Sequence, residues 1–268
     1  MTDPAHVDPA DPADDAGDFH VLIPARLEST RLPRKALADL CGRPLIVRVV
    51  ERARAAGARS VHVATDSDAI ADAVEAAGGR VVRTAADHDS GTSRLAEAVE
   101  RLGLDEDARV VNVQGDEPAV PIACIRQLAA LLGARADAEM ATLWTPIETP
   151  QEWQDPNVVK LVADASGNAL YFSRAAVPAV RDGGWPGAVA RRHVGLYAYR
   201  VGALRRWDRL PASRLAELES LEQLKALEAG WRIVAAEGAE PMPPGVDTPA
   251  DLDAMRRRFE DALHGDRQ

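Results

Sequence analysis

Apolar runs and helix-period segments alternate singly along the first half of the chain, and this alternation limits the fold more than any other feature. Residues 19–25 form an apolar run read as a first strand. Pro44 then opens a helical pattern with Leu45, Ile46, Val49, Val50 and Ala53 on one face, and Gly57 closes it. Further strands are predicted at residues 60–64, 80–84, 108–113 and 138–144. Helices are predicted between them at 67–77, 92–102 and 121–132. Strands separated by single helices imply right-handed crossovers and a mostly parallel sheet flanked by helices. Ligands of such sheets bind beyond the carboxyl ends of the strands. The stretches to inspect are therefore residues 24–35, Thr65-Asp66 and residues 114–118.

Beyond residue 146 the rhythm changes. Strands are predicted at 158–163, 169–172 and 192–200, separated by Gly/Asn turns as in a hairpin layer. A helix over 215–229, a strand over 232–236 and a terminal helix over 249–263 follow. The reading is one α/β domain over 19–268, with an inserted β-rich lobe at about 150–215. Residues 1–18, rich in Asp, Pro and Ala, are predicted to be a disordered acidic tail. That tail carries six aspartates and no Lys or Arg, so the rest of the chain holds only about −4 of the net −10. A nucleic-acid surface and membrane insertion are not expected. Two cysteines, outside any CxxC pattern, suggest reduced thiols in a cytoplasmic protein.

The first loop, "PARLESTRLPRK", puts Arg26, Arg31, Arg34 and Lys35 at a strand's carboxyl end in an acidic chain. Clustered cations and backbone N–H groups suit a polyphosphate; the alternative is a solvated basic turn. Only three lysines stand against twenty-nine arginines, which makes Lys35 a place where a compact ammonium is wanted. GxGxxG, GxxxxGK[ST] and GxSxG are absent, which argues against a dehydrogenase, a P-loop enzyme and a nucleophile-elbow hydrolase. Asp116 follows an apolar strand, and Asp247 lies in the turn "PPGVDTPAD". Together they are candidate magnesium ligands, since hard cations take carboxylate and phosphate oxygens. For Asp247, capping the last helix is the competing reading.

"IPARLESTRLP" with Lys35, "VATD", "DHDSGTSRLAEA", "VVNVQGDEP", "ALYFSRAAVP", "RHVGLYAYR", "LESLEQLKALEAG" and "GVDTPADL" closely resemble the 3-deoxy-manno-octulosonate cytidylyltransferase family, in order from about residue 19 to 260. The resemblance implies a Rossmann-like nucleotidyltransferase fold. It also implies transfer of CMP from CTP to 3-deoxy-manno-octulosonate (Kdo) for lipopolysaccharide synthesis, with Mg²⁺ and release of pyrophosphate, in a cytoplasmic homodimer. Arg26 and Lys35 would contact the triphosphate with Arg31 nearby; Ser90, Arg94 and Gln114 would lie near the nucleoside; Asp116 and Asp247 would ligate magnesium. Arg26, Lys35, Asp116 and Asp247 are thus the implied catalytic set. Arg174, His193, Tyr197, Glu222 and Gln223 would bind the sugar, with Lys160 a looser match. Without the resemblance, His193 and Tyr197 also read as core residues, and Glu222-Gln223 as a solvated helix face. Arg34, Ala36 and Ser93 depart from the family pattern, where Gly, Pro and Glu are usual. The alternatives are the same chemistry on 8-amino-Kdo or another acidic sugar, and a non-catalytic nucleotide-binding protein.

Overall fold

The computed structural model describes residues 18–265. The acidic tail expected at the N-terminus lies outside the described residues, apart from Asp18. The chain runs through β1 (Phe19–Pro24), α1 (Leu45–Ala55), β2 (Ser60–Thr65), α2 (Asp68–Ala76), β3 (Val81–Arg83), α3 (Gly91–Arg101), β4 (Arg109–Asn112), α4 (Ile122–Gly133) and β5 (Met140–Pro146). It continues through α5 (Pro150–Gln154), β6 (Lys160–Ala163), β7 (Ala169–Ser173), β8 (Arg191–Arg200), α6 (Val201–Leu204), α7 (Arg214–Glu219), α8 (Gln223–Glu228), β9 (Ile233–Glu237) and α9 (Pro249–Gly265).

The described strands form one sheet in the order β3-β2-β1-β4-β8-β5-β9, with β6 and β7 attached beside β8. β1, β2, β3 and β4 are parallel neighbours, as are β5 and β9. β8 runs antiparallel to both β4 and β5. It therefore belongs to the main sheet, although its sequence neighbours β6 and β7 pair as a hairpin. A register shift between Thr142 and Leu143 offsets β5 against β8 near Gly195. This is the local disruption expected of a bulge.

Both faces of the sheet are covered, and strand alternation feeds each. Val21 and Ile23 of β1 pack with Leu45, Val49, Ile125 and Leu128 on the α1–α4 face. Leu22 packs with Leu95, Val99, Val110, Leu224 and Trp231 on the α3–α8 face. Leu22 is fully buried, so truncating it to alanine is expected to cost about 2–5 kcal/mol.

One predicted element is corrected. Residues 215–229 are not one helix: α7 and α8 are separated at Ser220, which adopts a left-handed φ of 51°. The break turns carbonyl groups outward, and Arg174 takes those of Glu219 and Ser220 at 2.6 and 3.3 Å. Tertiary hydrogen bonds here override a helical pattern.

Candidate active site

A cleft of about 380 Å³ opens beyond the carboxyl ends of β1 and β4, where an open α/β sheet binds its ligands. Its walls include Arg26, Arg31, Lys35, Ser90, Arg94, Gln114, Asp116 and Asp247. The structure therefore brings all eight residues expected on the nucleotide side into one cavity.

Backbone constraints create this convergence. After β4 the chain crosses the end of β1, and a Cβ at Gly115 would stand 2.9 Å from the Pro24 carbonyl oxygen. Only glycine permits that approach. The Val246 amide donates to the Asp116 carbonyl at 2.9 Å, bringing the 245–247 turn onto the 115–117 turn. Asp247 does not cap α9. That task falls to Thr248 and Asp251: Asp251 Oδ2 accepts from the Asp247 and Thr248 amides at 3.1 and 2.8 Å, and the Asp251 amide donates to Thr248 Oγ1 at 3.2 Å. This reciprocal cap leaves the Asp247 carboxylate for the cleft.

Lys35 Nζ donates to Asp116 Oδ2 at 2.7 Å and to Asp247 Oδ1 at 2.9 Å, and Arg31 Nη2 stands 3.0 Å from Asp247 Oδ2. Burial pulls the Lys35 pKa down, but the hydrogen bonds and charges of the two aspartates outweigh it and leave the value raised. Arg34, just before it, is held at φ 55°, a left-handed conformation that glycine adopts more easily. Burial pushes the neighbouring Glu117 carboxyl up to about 8, with the Asp116 charge adding to it. Burial thus favours the neutral form of Glu117 over what an exposed carboxyl would show.

On the opposite wall, α3 begins at the cleft. Ser90 Oγ caps it by accepting from the Ser93 amide at 3.1 Å. Arg94 is buried, donates to Thr84 Oγ1 at 2.6 Å and pairs with Asp66 at 2.9 Å. His88 braces this wall between Ser93 Oγ, at 2.8 Å, and Glu97 Oε2, at 2.5 Å. Ser93, one of the departures from the family pattern, thus has a partner.

None of the residues expected on the sugar side lines this cleft; Glu222 joins its wall through Thr92, and Tyr197 packs on the α3–α8 face. His193 and Tyr197 stand with ring centroids 5.4 Å apart, and His193 meets Phe172 edge-on at 4.8 Å. His193 Nε2 is 3.0 Å from Thr142 Oγ1, and burial lowers its pKa to about 3, so the ring is neutral. Burial likewise raises the Tyr197 hydroxyl well above its ordinary value. Glu222 Oε2 accepts from Thr92 Oγ1 at 2.8 Å. Gln223 is buried, and its Nε2 has no partner.

Arg174 sits apart from the cleft lining. Its guanidinium is spent on the carbonyls of Glu219, Pro156 and Ser220, which braces the segment leading to Glu222. Lys160 is fully buried, and its ammonium donates to the carbonyls of Asp155 and Arg174 at 2.9 and 2.7 Å. It reads as a brace for the Arg174 segment rather than a pocket residue. Sequence reasoning missed Thr92, Asn112 and Tyr199. Thr92 is bonded to Glu222, Tyr199 is buried, and Asn112 Oδ1 is buried without a partner. The only signal in the sequence was that Thr92 falls between Ser90 and Arg94.

Comparison with known proteins agrees with this geometry. A cytidylyltransferase family model matches residues 20–233. The 3-deoxy-manno-octulosonate cytidylyltransferase of Leptothrix cholodnii is 51% identical over 254 residues, covering 92% of this chain and 94% of its own. That of Methylococcus capsulatus is 50% identical over 251 residues, covering 90% and 97%. The solved structure of CMP:2-keto-3-deoxy-manno-octonic acid synthetase complexed with CTP superposes with a TM-score of 0.80 at 39% identity, covering 91% of this chain and 99% of that one. A 4-diphosphocytidyl-2C-methyl-D-erythritol synthase, at 15% identity and a TM-score of 0.59, shares the fold alone. The chain, matched over most of its length by these relatives, belongs to the 3-deoxy-manno-octulosonate cytidylyltransferase family.

Proposed function

We propose that this chain transfers the CMP moiety of CTP to Kdo and releases pyrophosphate, as a step toward lipopolysaccharide. The observation that carries the reading is the meeting of Arg31, Lys35, Asp116 and Asp247 at one point of a cleft at the sheet's carboxyl edge. In the reaction the sugar's anomeric hydroxyl attacks the α-phosphorus, a new P–O bond forms, and the bond to the pyrophosphate oxygen breaks. No protein nucleophile is needed, so the side chains act by positioning and by neutralising charge. Arg26, Arg31 and Lys35 face the triphosphate; Ser90, Arg94 and Gln114 line the nucleoside side. Neutral His193, with Tyr197, Glu222 and Gln223, offers the mixed donors and acceptors that a polyhydroxy acid requires.

Magnesium is part of the proposal. Asp116 and Asp247 share one ammonium at 2.7 and 2.9 Å, so their oxygens are close enough to share a small hard cation. Among the described residues no group of three or more His, Cys, Asp or Glu side chains has the arrangement of a metal site. The two aspartates would therefore hold the ion together with phosphate oxygens and water. When bound, magnesium supplies neutralisation of the phosphate and pyrophosphate charge.

Both cysteines are free, in keeping with a cytoplasmic setting, and among the described residues no helix is long and apolar enough to cross a membrane. A homodimer is also part of the reading. Leu170, Val180 and Val189, three of the four exposed large hydrophobics among the described residues, fall in the 150–215 segment. The test of function is a pyrophosphate-release panel of four nucleoside triphosphates against Kdo, 8-amino-Kdo and a sialic acid. CTP with Kdo is expected to be the best pair; a clear preference for another pair overturns the reading.

A further inference from the structure

The first turn of α3 touches both halves of the site. Ser90 and Arg94 face the nucleotide cleft. Thr92, between them, is 3% exposed, and its hydroxyl donates to Glu222 Oε2 at 2.8 Å, across 130 residues of chain. Asn112 Oδ1, on the residue opposite Tyr197 across β4 and β8, is one of the few buried polar atoms among the described residues with no partner. Gln223 Nε2, beside Glu222, is another. An unpartnered acceptor on the residue opposite Tyr197 and an unpartnered donor on the residue after Glu222 are what a hydroxyl-bearing ligand satisfies.

We infer that Thr92 is a positioning residue for the sugar: its hydroxyl locks Glu222 in one orientation and ties the sugar side to the helix turn that walls the nucleotide cleft. The inference rests on the proposed transfer to Kdo and goes beyond it, because Thr92 does not line the nucleotide cleft and acts through Glu222. A carboxylate fixed by a charge-assisted hydrogen bond meets the sugar hydroxyls without reorienting. A carboxylate without that bond must be ordered at the moment of binding.

The test compares full-length wild type with Thr92→Val, which keeps the shape and removes the hydroxyl, and Thr92→Ser, which restores it. Pyrophosphate release gives KM for Kdo and kcat, and calorimetry without sugar gives the Kd for CTP. For Thr92→Val the expected result is a Kdo KM raised by about ten- to a hundred-fold, the range for losing a hydrogen bond to a charged group. The CTP Kd is expected to stay within about twofold, and Thr92→Ser to recover most of the loss. Should Thr92→Val fold poorly, Thr92→Ala, which also removes the hydroxyl that holds Glu222, is expected to raise the Kdo KM in the same direction. An unchanged Kdo KM, an equal loss of CTP binding, or failure of serine to rescue overturns the assignment. A wild type inactive on CTP and Kdo overturns the functional reading itself, whereas an active wild type with an indifferent Thr92→Val overturns only this inference.

Discussion

The Lys35 ammonium lies 2.7 Å from Asp116 Oδ2, and the same nitrogen reaches Asp247 Oδ1 at 2.9 Å. One compact cation thus joins the first loop of the chain to the turns after β4 and before α9. Lys35→Ala leaves two carboxylates facing each other with Arg31 as the nearest counter-charge. It is expected to lower kcat/KM for CTP by about 10²-fold or more, whereas Arg34→Ala lowers it several-fold at most. Steady-state kinetics on both variants check this; the reverse ranking shows that the loop has been read in the wrong register.

Asp116→Asn and Asp247→Asn are each expected to reduce turnover by roughly 10²- to 10³-fold with an unchanged circular-dichroism spectrum. Because both carboxylates serve one cation position, the double variant is expected to be little worse than either single one. Losses that multiply indicate two independent roles.

Arg34 carries backbone strain at φ 55°. Arg34→Gly relieves it and is expected to raise stability by about 1 kcal/mol, partly offset by the entropy glycine gains when unfolded. Urea unfolding measures the difference. A destabilised glycine variant means that the Arg34 side chain contributes more than the strain costs.

His193 gives the acid limb of stability a definite sign. Its native pKa is lowered by burial from 6.5 to about 3. The unfolded chain therefore binds a proton below about pH 6.5 that the native state does not. The contribution is complete above that pH and is lost as pH falls toward 3. His193→Gln is expected to flatten the dependence of the urea midpoint on pH in this window, by up to one proton. Identical slopes for the two proteins show that the native ring is protonated in the same range as the unfolded one.

The parallel half of the fold was legible because β1 and β4 lie in apolar runs followed by turns marked by Pro24 and Gly115, and β2 is followed by the capping Ser67. Much of the cleft was legible because residues 24–35 and 114–116 follow such runs and Ser90 caps the next helix. β8 was placed with its sequence neighbours, since nothing local to "RHVGLYAYR" says that it inserts between β4 and β5. The break at Ser220 was hidden because its left-handed conformation is fixed by Arg174, far away in sequence. The Asp247 side chain left two readings open, and the bonds of Asp251 to Thr248 remove the capping one. Thr92 was invisible for a related reason: a threonine in a helix's first turn signals nothing until its partner, Glu222, is known.

The most direct test is pyrophosphate release from CTP and Kdo while magnesium is titrated into metal-stripped protein. The expected result is no release without magnesium, a saturable rise as it is added, and a much weaker or absent response for Asp116→Asn and Asp247→Asn. Release that persists in EDTA at the wild-type rate, or aspartate variants with the wild-type magnesium response, would contradict the account of the site.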